Sequence, residues 1–406
     1  MSALPSEISA GAERRSVPLW LLVLITLSGT LGMHMFVPAL PQAALDLGTG
    51  PAAMQMTISL YIAGLAVGQL VYGPLSDAFG RRPLLLGALA LYTAAGVVAA
   101  LSTGIHALIA ARLMQALGGS AGLVLGRAIV RDTVRSDDAV RKLALLNLMT
   151  LIGPGLAPIV GGMVTGHVGW RAIFLLLATM GALALVCTAK LLPETARPSG
   201  QLSARTLARD YRELFGSPVF VGFTIGGGCA TTAFYAFLAA APFIFATQLH
   251  RPPQELGVYL ALLMVGVSVG NAGTSRLVRR FESEKVLLAA NLLSVVSAVA
   301  LLALSVTGHL AVFSVVGLMF LFAMGAGASS PVAMAKAISV DPRLTGSAAG
   351  LYGCGQMVVG AISTAMVTLG SDPAISAAGV MTVMALVART AFVVGVRRQR
   401  AAVAAV

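Results

Sequence analysis

The sequence predicts an all-α integral membrane protein, with twelve transmembrane helices arranged as two pseudo-symmetric six-helix bundles. Composition excludes an ordinary soluble domain, because 57% of the residues are hydrophobic and only 10% are charged, whereas soluble domains carry about 25% charged residues. The chain also contains a succession of apolar runs of about 20 residues, and each run is long enough to cross ~30 Å of hydrocarbon as a helix. Both observations hold along the whole chain.

The apolar runs define twelve candidate spans. They lie at 17–40, 54–75, 83–102, 106–128, 142–166, 171–191, 218–247, 255–276, 285–306, 309–335, 344–369 and 374–396. The first run is longer than the apolar region of a signal peptide, so we interpret it as a membrane helix. The even number of spans places both termini on the same side of the bilayer.

The basic residues predict the orientation of the spans. When the loops are assigned alternately to the two sides, 23 of the 27 Lys and Arg residues fall on one side and only Arg171 and Arg251 fall on the other. Basic loops are retained in the cytoplasm, so both termini are expected there, including Arg14 and Arg15. The net charge of +12 is spread over these short loops, and nucleic acid is therefore not an expected partner.

The longest link between spans, 192–217, is rich in Arg, Ser and Pro and divides the spans six and six. The predicted domains are an amino-terminal bundle at 1–191, a cytoplasmic linker at 192–217 and a carboxy-terminal bundle at 218–406, around a central cavity. The sequence contains no Walker-type loop, so ATP binding is not expected. The predicted spans contain no cluster of His, Cys, Asp or Glu, so a metal site, a cofactor and an enzymatic activity are not expected.

The link between the second and third spans reads GPLSDAFGRR (73–82). It places one acid, two arginines and three helix breakers in ten residues, which predicts a tight cytoplasmic hairpin. A simple positively charged anchor is the alternative. The pattern resembles the signature of the major facilitator superfamily, and the matching residues are the candidates for a gating loop: Gly73, Asp77, Gly80, Arg81 and Arg82.

We expect this loop to bridge the two bundles. Asp77 is predicted to lie at the amino terminus of the eleventh span, near Thr345 and Gly346, where the helix dipole favours an anion. Arg81 is predicted to pair with a nearby acid such as Asp132. Breaking the contact made by Asp77 would open the cytoplasmic side.

The fourth span contains ARLMQALGGSAG (111–122), which resembles the superfamily pattern Arg-x-x-Gln-Gly/Ala-x-Gly. A guanidinium within a membrane span costs about 3 kcal/mol or more, so Arg112 is expected to face a wet cavity or a polar partner. An arginine that extends to the outer surface is the alternative. Arg112 is therefore a candidate for proton coupling.

The fifth span contains IGPGLAPIVGG (152–162), which resembles a motif of facilitators that work as antiporters. Its residues Pro154 and Pro158 are expected to kink the helix, and Gly161 and Gly162 are expected to admit a close neighbouring helix. Together they would seal the cavity against leak. Ordinary glycine-mediated packing is the alternative.

Several further strings narrow the resemblance. VPALP (37–41), GRAIVRDTVRSDDAVR (126–141), VGWRAIFLLL (168–177) and LPET (192–195) are similar to the bicyclomycin/chloramphenicol-resistance (Bcr/CflA) group of multidrug exporters. The resemblance covers the first half in register and is looser in the second half. It implies drug:proton antiport in a bacterial inner membrane.

One departure from that group concerns the proton carrier. The group usually has an aspartate late in the first span, whereas this chain reads HMFVPALP, with His34 at that place. None of the fifteen acids falls within the core of a span. An imidazole titrates near pH 6.5, so His34 is the second candidate for proton coupling. A neutral histidine that hydrogen-bonds between helices is the alternative.

The expected partners are a small hydrophobic, drug-like substrate, protons and the lipid bilayer, and the chain is expected to act as a monomer. An uncoupled facilitator and a membrane receptor on a transporter frame are the alternative functions. Polar and aromatic residues within the spans are candidates for the wall of the substrate cavity; they are Tyr61, Gln115, Phe234, Tyr235 and Gln356.

Overall fold

A computed structural model describes residues 17–133, 136–196 and 204–404. This part of the chain folds as fifteen α-helices and contains no strand. The helices are α1 Leu19–His34, α2 Leu40–Asp46, α3 Pro51–Phe79, α4 Arg81–Ala100, α5 Ile105–Thr133, α6 Ser136–His167, α7 Arg171–Leu191, α8 Ala204–Phe215, α9 Pro218–Thr232, α10 Phe234–Phe243, α11 Pro253–Leu277, α12 Ser283–Val306, α13 Val312–Ile338, α14 Thr345–Val367 and α15 Pro373–Ala404.

Eleven helical segments in the described residues are long and apolar enough to cross a membrane. The fifth predicted span, 142–166, lies within α6, a helix of 32 residues. The predicted basic residues Arg14 and Arg15 lie outside the described residues, as do 134–135 and 197–203.

Two spans are interrupted near their middle. A short 3₁₀ turn, Val37–Ala39, separates α1 from α2, and Pro38 within it removes a backbone donor. Ala233 separates α9 from α10, and a π-helical turn Ile244–Gln248 extends α10. The segment Pro218–Gln248 is 83% buried over its apolar window, which places it at the centre of the bundle rather than at the lipid surface.

The predicted ten-residue hairpin at 73–82 is wrong in its extent. Helix α3 continues through Gly73 and Pro74 to Phe79, and Gly80 alone separates it from α4. Gly80 has φ +98°, a conformation that side chains with a Cβ rarely adopt. Pro74 is tolerated because a proline removes only one backbone donor, and packing of α3 against α5 and α14 holds the helix in place.

The hydrophobic core divides differently at the two ends of the bundle. At the end far from Gly80, one cluster contains buried residues from both halves, including Phe36 and Phe174 together with Phe237 and Phe322. Near Gly80, two clusters occur instead: one is formed by residues between 17 and 192, and the other by residues between 214 and 396. The halves therefore share one buried core at the far end and have separate buried cores towards the Gly80 end.

Two helix pairs connect the halves. Helix α3 packs against α14, and α6 packs against α11. Helix α8 lies within the predicted linker 192–217 and contacts α9 and α14. The division of the chain at this linker remains a prediction.

Candidate functional site

A buried arginine organises the middle of the first half. The side chain of Arg112 in α5 is fully buried. Its Nη1 donates to the carbonyl oxygen of Gly32 in α1 at 2.8 Å, and to Oε1 of Gln115, one turn along α5, also at 2.8 Å. Arg112 therefore faces the interior of the helix bundle and does not extend to the outer surface.

Aromatic rings surround the guanidinium. Its central carbon lies 3.9 Å from the ring centroid of Tyr61, 5.4 Å from that of Phe36 and 5.6 Å from that of Phe174. The Tyr61 hydroxyl donates to the Gly29 carbonyl at 2.8 Å, which fixes the ring over the cation. Cation–π contacts of this kind contribute about 2 kcal/mol when water is excluded. Helices α1, α3, α5 and α7 thus meet around one positive charge.

Several donors in this cluster have no acceptor among the described residues. They are Nε and Nη2 of Arg112, Nε2 of Gln115 and the hydroxyl of Tyr92 in α4. All three side chains are fully buried. None of the ion pairs between described residues involves Arg112. A buried charge with unpaired donors is costly, so such an arrangement points to a function.

His34 ends α1, two residues after Gly32, and it is 5% exposed. Its Nδ1 lies 2.9 Å from the Thr30 carbonyl oxygen. A carbonyl can only accept, so Nδ1 carries the hydrogen and Nε2 is the nitrogen that is able to gain a proton. His34 therefore lies beside the turn of α1 that contacts Arg112.

The glycine motif of α6 lies against α11 as predicted from its small residues. A Cβ atom at Gly162 would lie 2.6 Å from the carbonyl oxygen of Pro253, and one at Gly257 would lie 2.5 Å from that of Pro158. A Cβ at Gly161 would overlap the carbonyl oxygen of Met35. The two backbones approach so closely that only glycine fits, and Pro154 also lies inside this helix.

The gating-loop candidates are tied to the first half. Arg81 pairs with Asp77 at 2.7 Å and with Asp132 in α5 at 3.1 Å, so the predicted pairing with Asp132 is present. It also donates to the Ser76 hydroxyl. Glu194 accepts from the backbone N–H groups of Arg81 at 2.9 Å and of Arg82 at 3.2 Å, and so caps the amino terminus of α4.

The amino terminus of α14 interacts with acids of α8, and the predicted contact with Asp77 stays a prediction. The Ser347 hydroxyl donates to Asp210 of α8 at 3.1 Å. Just before α14, Arg343 bonds Asp341 at 2.7 Å and Glu213 of α8 at 3.1 Å. The hydrogen bonds from Arg343 hold the pKa of the partly buried Asp341 below its usual range. Helix α8 thus brings negative charge to this helix terminus.

The cavity candidates fall into two groups. Tyr61 and Gln115 belong to the Arg112 cluster described above. In the second half, Gln356 donates to Thr231 at 2.9 Å, Tyr235 packs near Gly360, and Phe234 is 4% exposed. The two groups lie on opposite halves, as expected for a cavity between bundles.

Three participants were missed by the sequence reasoning. Tyr92 was not singled out, because one tyrosine among apolar residues carries no motif. Glu194 lies in the quoted LPET string, and its acid immediately after a span was the available signal. Asp210 lies in α8, whose strongly amphipathic sequence ARTLARDYRELF was an available sign of a surface helix.

The chain can now be compared with known proteins. The sequence profile described as Major Facilitator Superfamily matches residues 22–364. The chain belongs to this superfamily. It is 31% identical to the multidrug resistance protein D of Escherichia coli over 84% of this chain and 86% of the relative. It is 26% identical to a bicyclomycin resistance protein homolog of Haemophilus influenzae, over 87% and 90% respectively.

Solved structures agree on the fold. A bacterial homolog of the human lysosomal transporter Spinster, in an inward-facing and occupied conformation, superposes with a TM-score of 0.74 at 13% identity, covering 94% of this chain and 96% of that one. The predicted fold and the predicted resemblance to the bicyclomycin/chloramphenicol-resistance group are confirmed. The chain is a multi-pass membrane transporter and not an enzyme.

Proposed function

We propose that this transporter exports small hydrophobic, drug-like compounds across the bacterial inner membrane in exchange for protons, with both termini in the cytoplasm. Alternating access occurs as residues 1–191 rock against residues 218–406. The names of the similar proteins, which concern multidrug and bicyclomycin resistance, support a drug-like cargo. The uncoupled facilitator is the main rival function.

The unequal division of the core is the observation that carries the proposal. The shared core closes the end far from Gly80, whereas the halves have separate cores towards Gly80. Because the basic loops lie at the Gly80 end, this division of the core supports a carrier that is closed to the outside and ready to open inwards. An exporter in this state receives its cargo from the cytoplasm or the inner leaflet.

The proposal also assigns roles to the site residues. His34 carries the proton through Nε2, and Arg112 senses its charge through the turn of α1 that contains Gly32. A protonated His34 next to Arg112 makes the loaded site doubly cationic, so neutral or anionic cargo is favoured over cationic cargo. The close contact between α6 and α11 prevents leak between the halves.

Transport by purified protein in liposomes tests this function. An imposed pH gradient, acidic on the side that corresponds to the periplasm, is expected to drive chloramphenicol or another cargo towards that side, against its concentration gradient. Proton exchange is contradicted if net cargo flux stops when the cargo concentrations on the two sides are equal, and if this flux is the same with and without the pH gradient. In that case the uncoupled facilitator is correct.

A second expected result concerns the exchange of acids at α14. If Asp77 binds this helix terminus in the outward-facing state, Asp210 and Asp77 stabilise opposite states. Asp77→Asn is then expected to favour the inward-facing state and Asp210→Asn the outward-facing state. A charge at a helix terminus contributes about 0.3–1 kcal/mol, which corresponds to a roughly two- to fivefold change in population.

Spin labels at two exposed positions report these populations. Leu191 ends α7 and Ser339 follows α13, so cysteines at these positions lie on the two halves at the Gly80 end. In a background without the natural cysteines, the distance between the labels is expected to lengthen in Asp77→Asn and to shorten in Asp210→Asn. A shift in the same direction in both variants contradicts the exchange.

A further inference from the structure

The unpaired donors around Arg112 lie on two helices that pack against each other, α4 and α5. Arg112 donates to the Gly32 carbonyl, and a Cβ atom on Gly32 would lie 3.4 Å from the Tyr92 hydroxyl oxygen and would overlap that of Tyr61. A Cβ on Gly96 would lie 3.3 Å from Nε2 of Gln115. Glycines at 32 and 96 therefore let these buried polar atoms approach the backbones of α1 and α4 closely.

This cluster has more hydrogen-bond donors than acceptors. It offers a guanidinium, a primary amide and two hydroxyl groups, while the acceptors already present are the Gln115 amide oxygen and the carbonyls of Gly29 and Gly32. No carboxylate of a described residue forms an ion pair with Arg112. In a low-dielectric interior, unpaired donors next to a fixed positive charge favour an anion over a neutral acceptor.

We propose that Arg112, Gln115 and Tyr92 form a binding site for a monovalent anion, either an inorganic halide or the carboxylate of a cargo molecule. Nε and Nη2 of Arg112, Nε2 of Gln115 and the Tyr92 hydroxyl donate to the anion. The faces of Tyr61, Phe36 and Phe174 cover the guanidinium and exclude water, which strengthens its attraction for the anion. The cargo form of the proposal rests on the proposed function, whereas anion binding itself does not.

The site has a consequence for exchange. When His34 is neutral, the anion compensates the single charge of Arg112. When His34 gains a proton, the region holds two positive charges and retains the anion more strongly. For an inorganic halide, which is not exchanged for protons, binding of the anion and of the proton are thus expected to favour each other, as linkage requires for neighbouring opposite charges.

The binding test uses the purified full chain in detergent, without any pH gradient. The unfolding temperature is followed by tryptophan fluorescence. Trp170 contributes to this signal, and its ring centroid lies 6.0 Å from that of Phe174. Sodium gluconate is replaced stepwise by sodium chloride at constant ionic strength, and in parallel by sodium benzoate. Benzamide serves as the neutral counterpart of benzoate. A ligand that binds only the folded state raises the unfolding temperature with a saturable dependence on its concentration.

Gln115→Glu is the decisive variant. Oε1 of Gln115 already lies 2.8 Å from Arg112, so glutamate at this position supplies a built-in anion. The wild type is expected to gain stability with chloride, benzoate or both, and Gln115→Glu is expected to gain none. Arg251→Gln, which alters an exposed loop arginine paired with Glu255, is the matched control and is expected to respond like the wild type.

The outcomes separate the sources of the anion. A response to chloride alone identifies an inorganic halide, and a response to benzoate but not to benzamide identifies a carboxylate. If Gln115→Glu does not fold, Tyr92→Phe, which removes one donor, is expected to weaken the response. The site is excluded if neither anion stabilises the wild type, or if both variants respond as the wild type does. Because no transport is measured, these outcomes are independent of whether export is proton-driven.

Discussion

His34→Ala is expected to reduce export driven by a pH gradient to the level of liposomes that lack the transporter. The reason is that no acid falls within the core of a predicted span, so removal of the imidazole removes the titratable group that lies two residues after the Arg112 contact at Gly32. Drug resistance in an efflux-deficient host and uptake into liposomes measure the effect. Cargo binding is expected to remain, because Arg112 and its aromatic neighbours are unchanged.

His34→Asp is expected to restore gradient-driven export, since a carboxylate also binds and releases a proton. Its loaded form is neutral instead of cationic, so resistance to cationic drugs is expected to rise relative to the wild type. His309→Ala, which alters a histidine in the loop after α12, is the matched control and is expected to leave export unchanged. Full export by His34→Ala would remove this residue from the mechanism.

Gly162→Leu is expected to abolish export by forcing α6 away from α11. A Cβ atom at this position would already lie 2.6 Å from the Pro253 carbonyl oxygen, and leucine adds three more carbons. Overpacking of a close contact costs about 1–3 kcal/mol, enough to change the balance between two states of a carrier by roughly five- to a hundredfold. Transport and leak of protons through liposomes measure the two consequences.

The control for this substitution is Gly87→Leu. Gly87 is exposed on α4, and a Cβ atom there has no neighbour within 4 Å. It tests whether the loss of a glycine from a span is harmful in itself, and near-normal export is expected. Equal activity of Gly162→Leu and the wild type would show that the contact between α6 and α11 is not needed for sealing.

The sequence was sufficient to predict the fold and the place of Arg112. A charge within an apolar run is so costly that Arg112 was expected to have buried polar partners. In the structure these partners are the Gly32 carbonyl and the Gln115 side chain. The pairing of Arg81 with Asp132 followed from two charged residues near the same membrane surface. In both cases the free-energy cost of leaving a charged side chain without a polar partner permits few arrangements of that side chain.

Other features depended on tertiary contacts that no local pattern encodes. Gly73 and Pro74 predicted a loop, but packing of α3 against α5 and α14 continues the helix to Phe79. Tyr92 joins the Arg112 cluster only because α4 and α5 bring their faces together. The contact of Asp210 with Ser347 spans 137 positions of sequence, and the docking of α8 decides it.

Release of protons on cargo binding tests the central claim most directly. The purified transporter is placed in weakly buffered detergent solution near pH 6.5, and the compound against which it gives the greatest resistance is added while a pH-sensitive dye is followed. If cargo and proton compete through His34, the wild type releases protons with a saturable dependence on cargo, and His34→Ala binds cargo without releasing any. Cargo binding by the wild type without release of protons would contradict the account.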